Sequence, residues 1–279
     1  MLHNHTLPLN SSYFFWCIGL LGLLVGSFLN VVIARLPRLM EAETKPSSMP
    51  PPPNLISPPS HCPHCHQNIA WYDNIPVLSF IWLKARCRQC HQRISARYPF
   101  VELLSLALSV LVAHQFHFTE PLLPALLLTW ALIALAFIDY DHTLLPDDIT
   151  LPFLWLGLGL NAFSLFTDPV SAIFGAIAGY LVLWITYQIF KWVTDKDGMG
   201  YGDFKLLAML GAWLGWQALP LIILLSSFLG AIIGLMLIYL KKRNKNVPIP
   251  FGPFLAIAGF VALVWGQSLN LLYFKWLVL

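Results

Sequence analysis

The run "PLLPALLLTWALIALAFI", residues 121–138, decides the fold class because its 18 residues carry no charge. A run of this length is long enough to cross the hydrocarbon core of a bilayer as a helix. Comparable runs recur along the 279-residue chain, which is 58% hydrophobic and only 10% charged. Soluble domains carry about 25% charged residues. The sequence therefore predicts an all-α polytopic membrane protein in contact with lipid.

About eight transmembrane helices are expected, and the sixth run is the shortest. The predicted spans are 13–34, 101–118, 121–138, 149–166, 170–193, 204–217, 219–240 and 254–274. With eight spans, 15 of the 16 Lys and Arg residues fall on one side of the membrane. The positive-inside rule makes that side cytoplasmic and places the N-terminus outside. The basic residues form no clustered face in the sequence, which argues against a nucleic-acid partner.

Residues 35–98 form the one sizeable soluble segment of the predicted topology. This segment divides the chain into an N-terminal part (1–34), a cytoplasmic zinc-ribbon-like insertion (35–98) and a seven-helix membrane core (99–279). A Pro-rich linker, residues 45–59, is expected to be extended. Two CxxC pairs follow the linker, at Cys62, Cys65, Cys87 and Cys90.

Paired CxxC motifs near this spacing are typical of a zinc site, since four thiolates suit tetrahedral Zn²⁺. Two disulfides are the alternative, and the reducing cytoplasm argues against them. The neighbouring histidines could replace one sulfur ligand; they are His61, His64, His66 and His91. Four Cys ligands close the coordination shell, so the predicted zinc is structural. Cys17, inside the first span, is expected to be a buried small hydrophobe.

Acidic residues collect at the predicted cytoplasmic ends of two spans. One group follows the third span and the other precedes the sixth; the members are Asp139, Asp141, Asp147, Asp148, Asp195, Asp197 and Asp203. An acid that abuts a span is costly unless it faces a wet or protein-lined cavity, so such an acid is a functional candidate. Asp139 and Asp203 adjoin apolar runs directly. Asp195 and Asp197, next to Lys196, fit solvated loop acids equally well.

The stretch "GMGYGDFK", residues 198–205, places three glycines ahead of Asp203. Glycine lets the backbone fold back and lets another chain approach closely, so Gly198, Gly200 and Gly202 are expected to present Asp203 to an extended substrate. Two facing carboxylates can share one proton. The ionised member can then activate water while the protonated member polarises a peptide carbonyl. On this reasoning Asp141 and Asp147 stay open as alternatives.

Several motifs together resemble the type IV prepilin peptidases, bifunctional leader peptidases and N-methyltransferases of the bacterial inner membrane. They are the paired CxxC, "GLLVGSFLNVVIARLP", "RYPFVELL", "FIDYDHTLLPD", "GMGYGDFKLLAMLGAW" and "PIPFGPFLAIAG". That family is similar in mechanism to the GxGD intramembrane aspartyl proteases. The resemblance implies that Asp139 and Asp203 are its two catalytic aspartates.

By the same resemblance, the substrates are prepilins of type IV pili and pseudopilins of type II secretion. Their short basic leader would be cut at the cytoplasmic face, and the new N-terminal amine methylated from S-adenosylmethionine. The family often has glycines before its second CxxC, where this chain reads Lys84-Ala85-Arg86. The residues that bind the methyl donor are therefore unassigned.

Two other classes of protein fit part of the sequence. A polytopic transporter would explain intramembrane acids, but it predicts acids near the bilayer midplane and repeated halves with broken helices. The acids here gather at one face, and no internal repeat is evident. A non-enzymatic pilus or secretion assembly factor would explain the CxxC pairs, but it leaves the two membrane-edge aspartates without a role.

Overall fold

The computed structural model describes residues 11–44, 54–55, 59–239 and 250–277. Every regular element in this part of the chain is helical, apart from two isolated bridges, His61–Asn68 and Arg86–Arg93. The all-α prediction is confirmed. The α-helices are α1 (Ser11–Thr44), α2 (Leu78–Trp82), α3 (Arg97–Phe116), α4 (Leu122–His142), α5 (Asp147–Asn161), α6 (Pro169–Thr194), α7 (Tyr201–Leu214), α8 (Leu219–Tyr239) and α9 (Gly252–Leu277), with 3₁₀ turns at Trp71–Asn74 and Trp216–Ala218.

Five helices are long and apolar enough to cross a membrane, namely α1, α3, α4, α6 and α8, and a shorter apolar segment, Gly252–Gly266, begins α9. The protein is therefore a multi-pass membrane protein. The count of eight spans and the orientation stay predictions. Helix α1 continues to Thr44, ten residues past the predicted end of the first span. Most of the predicted extended linker, 45–59, lies outside the described residues. Cys17 is exposed on α1, so the expectation that it is buried is wrong.

The chain forms two compact units, one ending at Trp130 and the other beginning at Ala131. In the first unit, α1 and α3 pack against each other through small residues. A Cβ atom on Gly22 would lie 2.7 Å from the Ser109 hydroxyl, and one on Gly26 would lie 2.8 Å from Glu102 Cα. Glycine at these positions lets the two helices approach closely. The predicted division into 1–34, 35–98 and 99–279 stays a prediction.

Hydrogen bonds from polar side chains connect α3 to α1, to the first part of α4 and to the segment between α1 and α3. Asn30 on α1 donates to the Tyr98 carbonyl at 3.1 Å, and Trp130 donates to the Ser109 hydroxyl at 2.9 Å. Glu102, buried on α3, accepts the backbone N–H of Val77 at 2.8 Å. The residue before α2 is thus attached directly to the second turn of α3.

In the second unit, α6 and α7 approach to backbone contact. A Cβ atom on Gly175 would overlap the Gly211 carbonyl, and one on Gly179 would lie 2.6 Å from the Leu207 carbonyl oxygen. Glycine at these positions lets the two helices pack closely within the chain. Helix α7 is almost wholly buried from Asp203 to Trp213. It is the central element that carries Asp203.

Both ends of α7 are tied to α5. Near its start, Lys205 Nζ contacts both carboxylate oxygens of Asp147, at 2.8 and 2.7 Å. At its end, the buried Asn161 donates to the carbonyls of Ala212 and Trp213 at 2.8 and 2.9 Å. The last carbonyls of a helix lack intrahelical donors, so this amide supplies them. Helix α7 is therefore fixed along its axis.

Candidate active site and metal cluster

Asp139 lies in the last turn of α4 and is only 5% exposed. Its Oδ2 atom accepts the backbone N–H of Gly252 at 2.9 Å. Gly252 is the first residue of α9, where backbone N–H groups have no intrahelical acceptor. The positive end of the α9 dipole is thus directed at this carboxyl group, and an anionic Asp139 is favoured by that contact.

Gly252 is a site residue that the sequence analysis did not identify. A Cβ atom at this position would lie 2.6 Å from Asp139 Oδ2 and 2.9 Å from Asp139 Cγ. A side chain would push the carboxyl group away from the helix end. The only signal in the sequence was the position of Gly252 inside "PIPFGPFLAIAG", a motif that carried the family resemblance.

Asp203 lies in the first turn of α7 and is 7% exposed. Gly200 is the N-cap residue, and its carbonyl accepts the Asp203 N–H at 3.2 Å. An acid three residues after the N-cap stands in the first turn, where the free backbone N–H groups favour a negative charge. The local sequence therefore both starts the helix and places the carboxyl group in its first turn.

The two buried aspartates lie on neighbouring segments: Asp139 lies in the last turn of α4, and a Cβ atom on Gly202, next to Asp203, would lie 2.7 Å from Leu145, just after α4. They are 64 positions apart in the sequence. Like charges in close proximity disfavour double ionisation, so such a pair holds one proton between two sites. One member can act as a base while the other acts as an acid.

The four cysteines predicted to bind metal form one cluster. The Sγ atoms of Cys62, Cys65, Cys87 and Cys90 all lie within 4.8 Å of one another. Tetrahedral coordination at 2.3 Å implies sulfur–sulfur distances of about 3.8 Å, and the Cys62 and Cys90 Sγ atoms are 3.8 Å apart. All four are free thiols, so the structure does not contain the disulfides of the alternative interpretation. No histidine joins the cluster among the described residues.

The two CxxC segments have the same backbone geometry. In the first, the Cys62 N–H donates to the Gln67 carbonyl and the His66 N–H donates to the Cys62 carbonyl. The second repeats this pattern with Cys87, Gln92 and His91. His66 and His91 both have a φ of 57°. Each segment is thus a tight turn that directs two sulfurs to one side, which the cluster requires.

Comparison with known proteins assigns the family. The profile of the bacterial peptidase A24 N-terminal domain matches residues 20–116, and that of the type IV leader peptidase family matches residues 126–235. The chain belongs to the type IV leader peptidase family. The metal cluster lies within the first match, and Asp139 and Asp203 lie within the second.

Known members of the family match this chain over nearly its whole length. A prepilin leader peptidase/N-methyltransferase of Aeromonas hydrophila is 54% identical, covering 93% of each chain. A protein of the same name in Pseudomonas aeruginosa is 52% identical, and the match covers 94% of each chain. Another, in Legionella pneumophila, is 44% identical, and the match covers 95% of this chain and 96% of the relative. No solved structure matches the chain.

The other candidate acids, unlike Asp139 and Asp203, are exposed or paired with a lysine. Asp147 pairs with Lys205, and Asp141 and Asp148 are exposed. For Asp197, next to Lys196 in the sequence, a solvated loop acid was one of the two interpretations left open. Its side chain is indeed 72% exposed, but it accepts the Tyr187 hydroxyl at 2.6 Å and contacts Lys191 Nζ at 2.9 Å. These contacts attach the loop before α7 to the end of α6.

The role of the three glycines before Asp203 in presenting it to a substrate stays a prediction, and the structure shows what each glycine contacts. Gly215 is the glycine with positive φ among the described residues, so Gly198, Gly200 and Gly202 do not adopt a left-handed backbone. A Cβ atom on Gly202 would lie 2.7 Å from Leu145, and one on Gly198 would lie 2.7 Å from the Phe190 ring. These two glycines allow close packing. Gly200 has only loose neighbours and caps the helix.

The segment before the second CxxC does use the left-handed region. Lys84 and Ala85 have φ values of 51° and 58°. This conformation favours glycine, which gives a physical reason for glycines at the corresponding place in the family. Nearby, Arg88 pairs with Asp73 at 2.6 Å, and this hydrogen bond holds the Asp73 pKa below its usual range.

Proposed function

We propose that this protein is a prepilin leader peptidase and N-methyltransferase of the bacterial inner membrane. It removes the short basic leader of prepilins and pseudopilins and methylates the new N-terminal residue. The observation that carries the peptidase assignment is the burial of two aspartates, Asp139 and Asp203, at the ends of two helices whose adjoining residues Leu145 and Gly202 pack together. Relatives of the same length carry this name.

Asp139 and Asp203 form the catalytic pair. The ionised member takes a proton from water, which attacks the scissile carbonyl carbon. The protonated member polarises that carbonyl and then protonates the leaving amine. No acyl-enzyme forms, so the chain requires no Ser or Cys nucleophile. Gly198, Gly200 and Gly202 support Asp203 through packing and capping, and Gly252 orients Asp139.

By the positive-inside rule the reaction takes place at the cytoplasmic face, with the N-terminus in the periplasm. A basic leader would stay in the cytoplasm while the apolar helix of the pilin lies in the bilayer. This arrangement brings the cleavage site to the level of the two carboxyl groups. A transporter has no need for two buried acids at helix ends, one of them bonded to the start of a third helix.

The four-cysteine cluster holds a structural Zn²⁺. The sulfur–sulfur distances fit tetrahedral coordination, and the four thiolates leave no open position for water. S-Adenosylmethionine supplies the methyl group. No residue is assigned to its binding, so the methylation step is derived from family membership alone.

The test is prepilin cleavage by purified protein in detergent, followed by product mass. Asp139→Asn and Asp203→Asn keep the shape of the side chain and remove its charge, so each should abolish cleavage. Asp195→Asn is the matched control: Asp195 caps α6 at a φ of 51°, which Asn tolerates. Normal cleavage by either inserted site variant would refute the assignment.

A further inference from the structure

The segment between α1 and α3 exposes large apolar side chains outside every predicted span. Trp71 is 82% exposed and Trp82 is 84% exposed. Leu78 and Ile81 of α2 are 62% and 66% exposed. Exposed apolar side chains on membrane helices face lipid, but these belong to the segment expected to face the cytoplasm. Clusters of this kind on a soluble segment mark an interaction surface.

The depth of this surface follows from Glu102. Helix α3 has 20 residues, or about 30 Å, which matches the hydrocarbon core. Glu102 lies in its second turn and accepts the Val77 N–H at 2.8 Å. Leu78, the first residue of α2, is next to that bond. Glu102 is five residues, or about 7.5 Å, from the first residue of α3, so α2 is held near the cytoplasmic end of that helix, where the hydrocarbon core meets the headgroups.

The surface is also held rigidly and is basic. Arg88 pairs with Asp73 and lies 5.4 Å from the centre of the Tyr72 ring, which connects the 3₁₀ turn to the second CxxC segment. Asp73 is the one acid between residues 61 and 96. Lys84, Arg86 and Arg93 are exposed beside the apolar residues in sequence. The segment thus carries excess positive charge next to exposed indoles.

We propose that Trp71, Leu78, Ile81 and Trp82, with Lys84 and Arg86, form an interfacial surface that docks the metal-cluster segment onto anionic lipid headgroups. Tryptophan is enriched at the membrane interface because its ring is amphipathic. Basic residues next to it are attracted to the negative cytoplasmic leaflet. The bilayer is the partner that this surface fits because the Glu102 contact already holds α2 near the end of a membrane-spanning helix. Docking fixes the height of the CxxC cluster above the membrane.

The test uses the full-length protein in nanodiscs of phosphatidylglycerol and phosphatidylcholine, with Trp82→p-benzoylphenylalanine as a photo-crosslinker. Lipid adducts on the peptide are measured by mass. The matched control is Gln67→p-benzoylphenylalanine, an exposed position in the first CxxC turn. We expect a lipid adduct at position 82 well above that at position 67. Equal adducts, or none at position 82, overturn the proposal.

Two further sets of crosslinking experiments identify what this surface binds. Lys84→Gln with Arg86→Gln should lower the adduct at position 82 about fivefold or more, and pure phosphatidylcholine should lower it similarly. An adduct unchanged by both treatments overturns the role of anionic lipid. Added prepilin should leave the lipid adduct in place. Transfer of the crosslink from lipid to prepilin would show that the surface binds substrate, and would overturn membrane docking.

Discussion

Gly252→Ala should impair cleavage although it adds a single methyl group. The new Cβ atom would lie 2.6 Å from Asp139 Oδ2, whereas ordinary carbon–oxygen contacts are about 3.3 Å or longer. The carboxyl group or the start of α9 must therefore move by roughly 0.7 Å, the difference between these distances. This shift breaks the 2.9 Å hydrogen bond from the Gly252 N–H.

A hydrogen bond to a charged group is worth about 1.5–3 kcal/mol. Each 1.36 kcal/mol changes a rate tenfold, so cleavage should fall about 10- to 150-fold. Folding should be largely retained, because the change is confined to one contact at a helix end.

The assay is the initial rate of prepilin cleavage by purified protein, with Tm as a check on folding. Gly159→Ala is the matched control, since a Cβ atom at Gly159 on α5 meets nothing within 4 Å. This control should cleave at the wild-type rate and be equally or slightly more stable. If Gly252→Ala also cleaves at the wild-type rate, the contact with Asp139 does not orient the carboxyl group for catalysis.

Three other outcomes are expected. Purified protein should contain about one Zn²⁺ per chain, as a closed four-ligand site implies, and Cys65→Ser should lower metal content and expression. Cleavage by the wild-type protein should not require S-adenosylmethionine. The Asp139→Asn protein should leave full-length prepilin unmethylated, but it should still methylate a pre-cleaved pilin. Ala85→Gly should raise the unfolding free energy by roughly 0.5–1 kcal/mol because it relieves a left-handed alanine. Ala70→Gly, at an ordinary φ of −63°, should lower stability.

Each expectation has a contrary result. A metal-free protein of equal stability and activity would exclude a structural zinc site. Failure of the Asp139→Asn protein to methylate pre-cleaved pilin, when the wild type does so, would mean that Asp139 serves both reactions or shapes a shared groove. Equal Tm changes for Ala85→Gly and Ala70→Gly would show that the left-handed backbone at residue 85 carries no strain.

The sequence was sufficient where the determining pattern is local. Uncharged runs located the helices, and the CxxC spacing located the sulfur cluster. The adjacency of Asp139 and Asp203 to apolar runs favoured these two among seven candidate acids, and the family resemblance, not this pattern, set Asp141 and Asp147 aside. Each of these inferences depends on neighbours within a few residues, where chain geometry limits the possibilities.

Contacts between distant segments could not be predicted in this way. Gly252 lies 113 residues from Asp139, and no local pattern connects them. The glycines before Asp203 suggested an unusual backbone, whereas Gly202 instead accommodates Leu145. Glycine permits both, and only the position of the neighbouring helix decides between them. The exposed apolar residues of α2 likewise gave no periodic signal, because the helix has five residues.

Helix α7 has 14 residues and is therefore about 21 Å long, some 9 Å shorter than the hydrocarbon core. It is surrounded by protein along its length, so lipid chains do not cover the shortfall. Its starting residue Tyr201 is half-exposed, two positions before Asp203. A helix this short need not carry its first turn out to the lipid headgroups. Hydrolysis consumes water, and the half-exposed start of α7 would admit water to Asp203 without a channel through the bilayer.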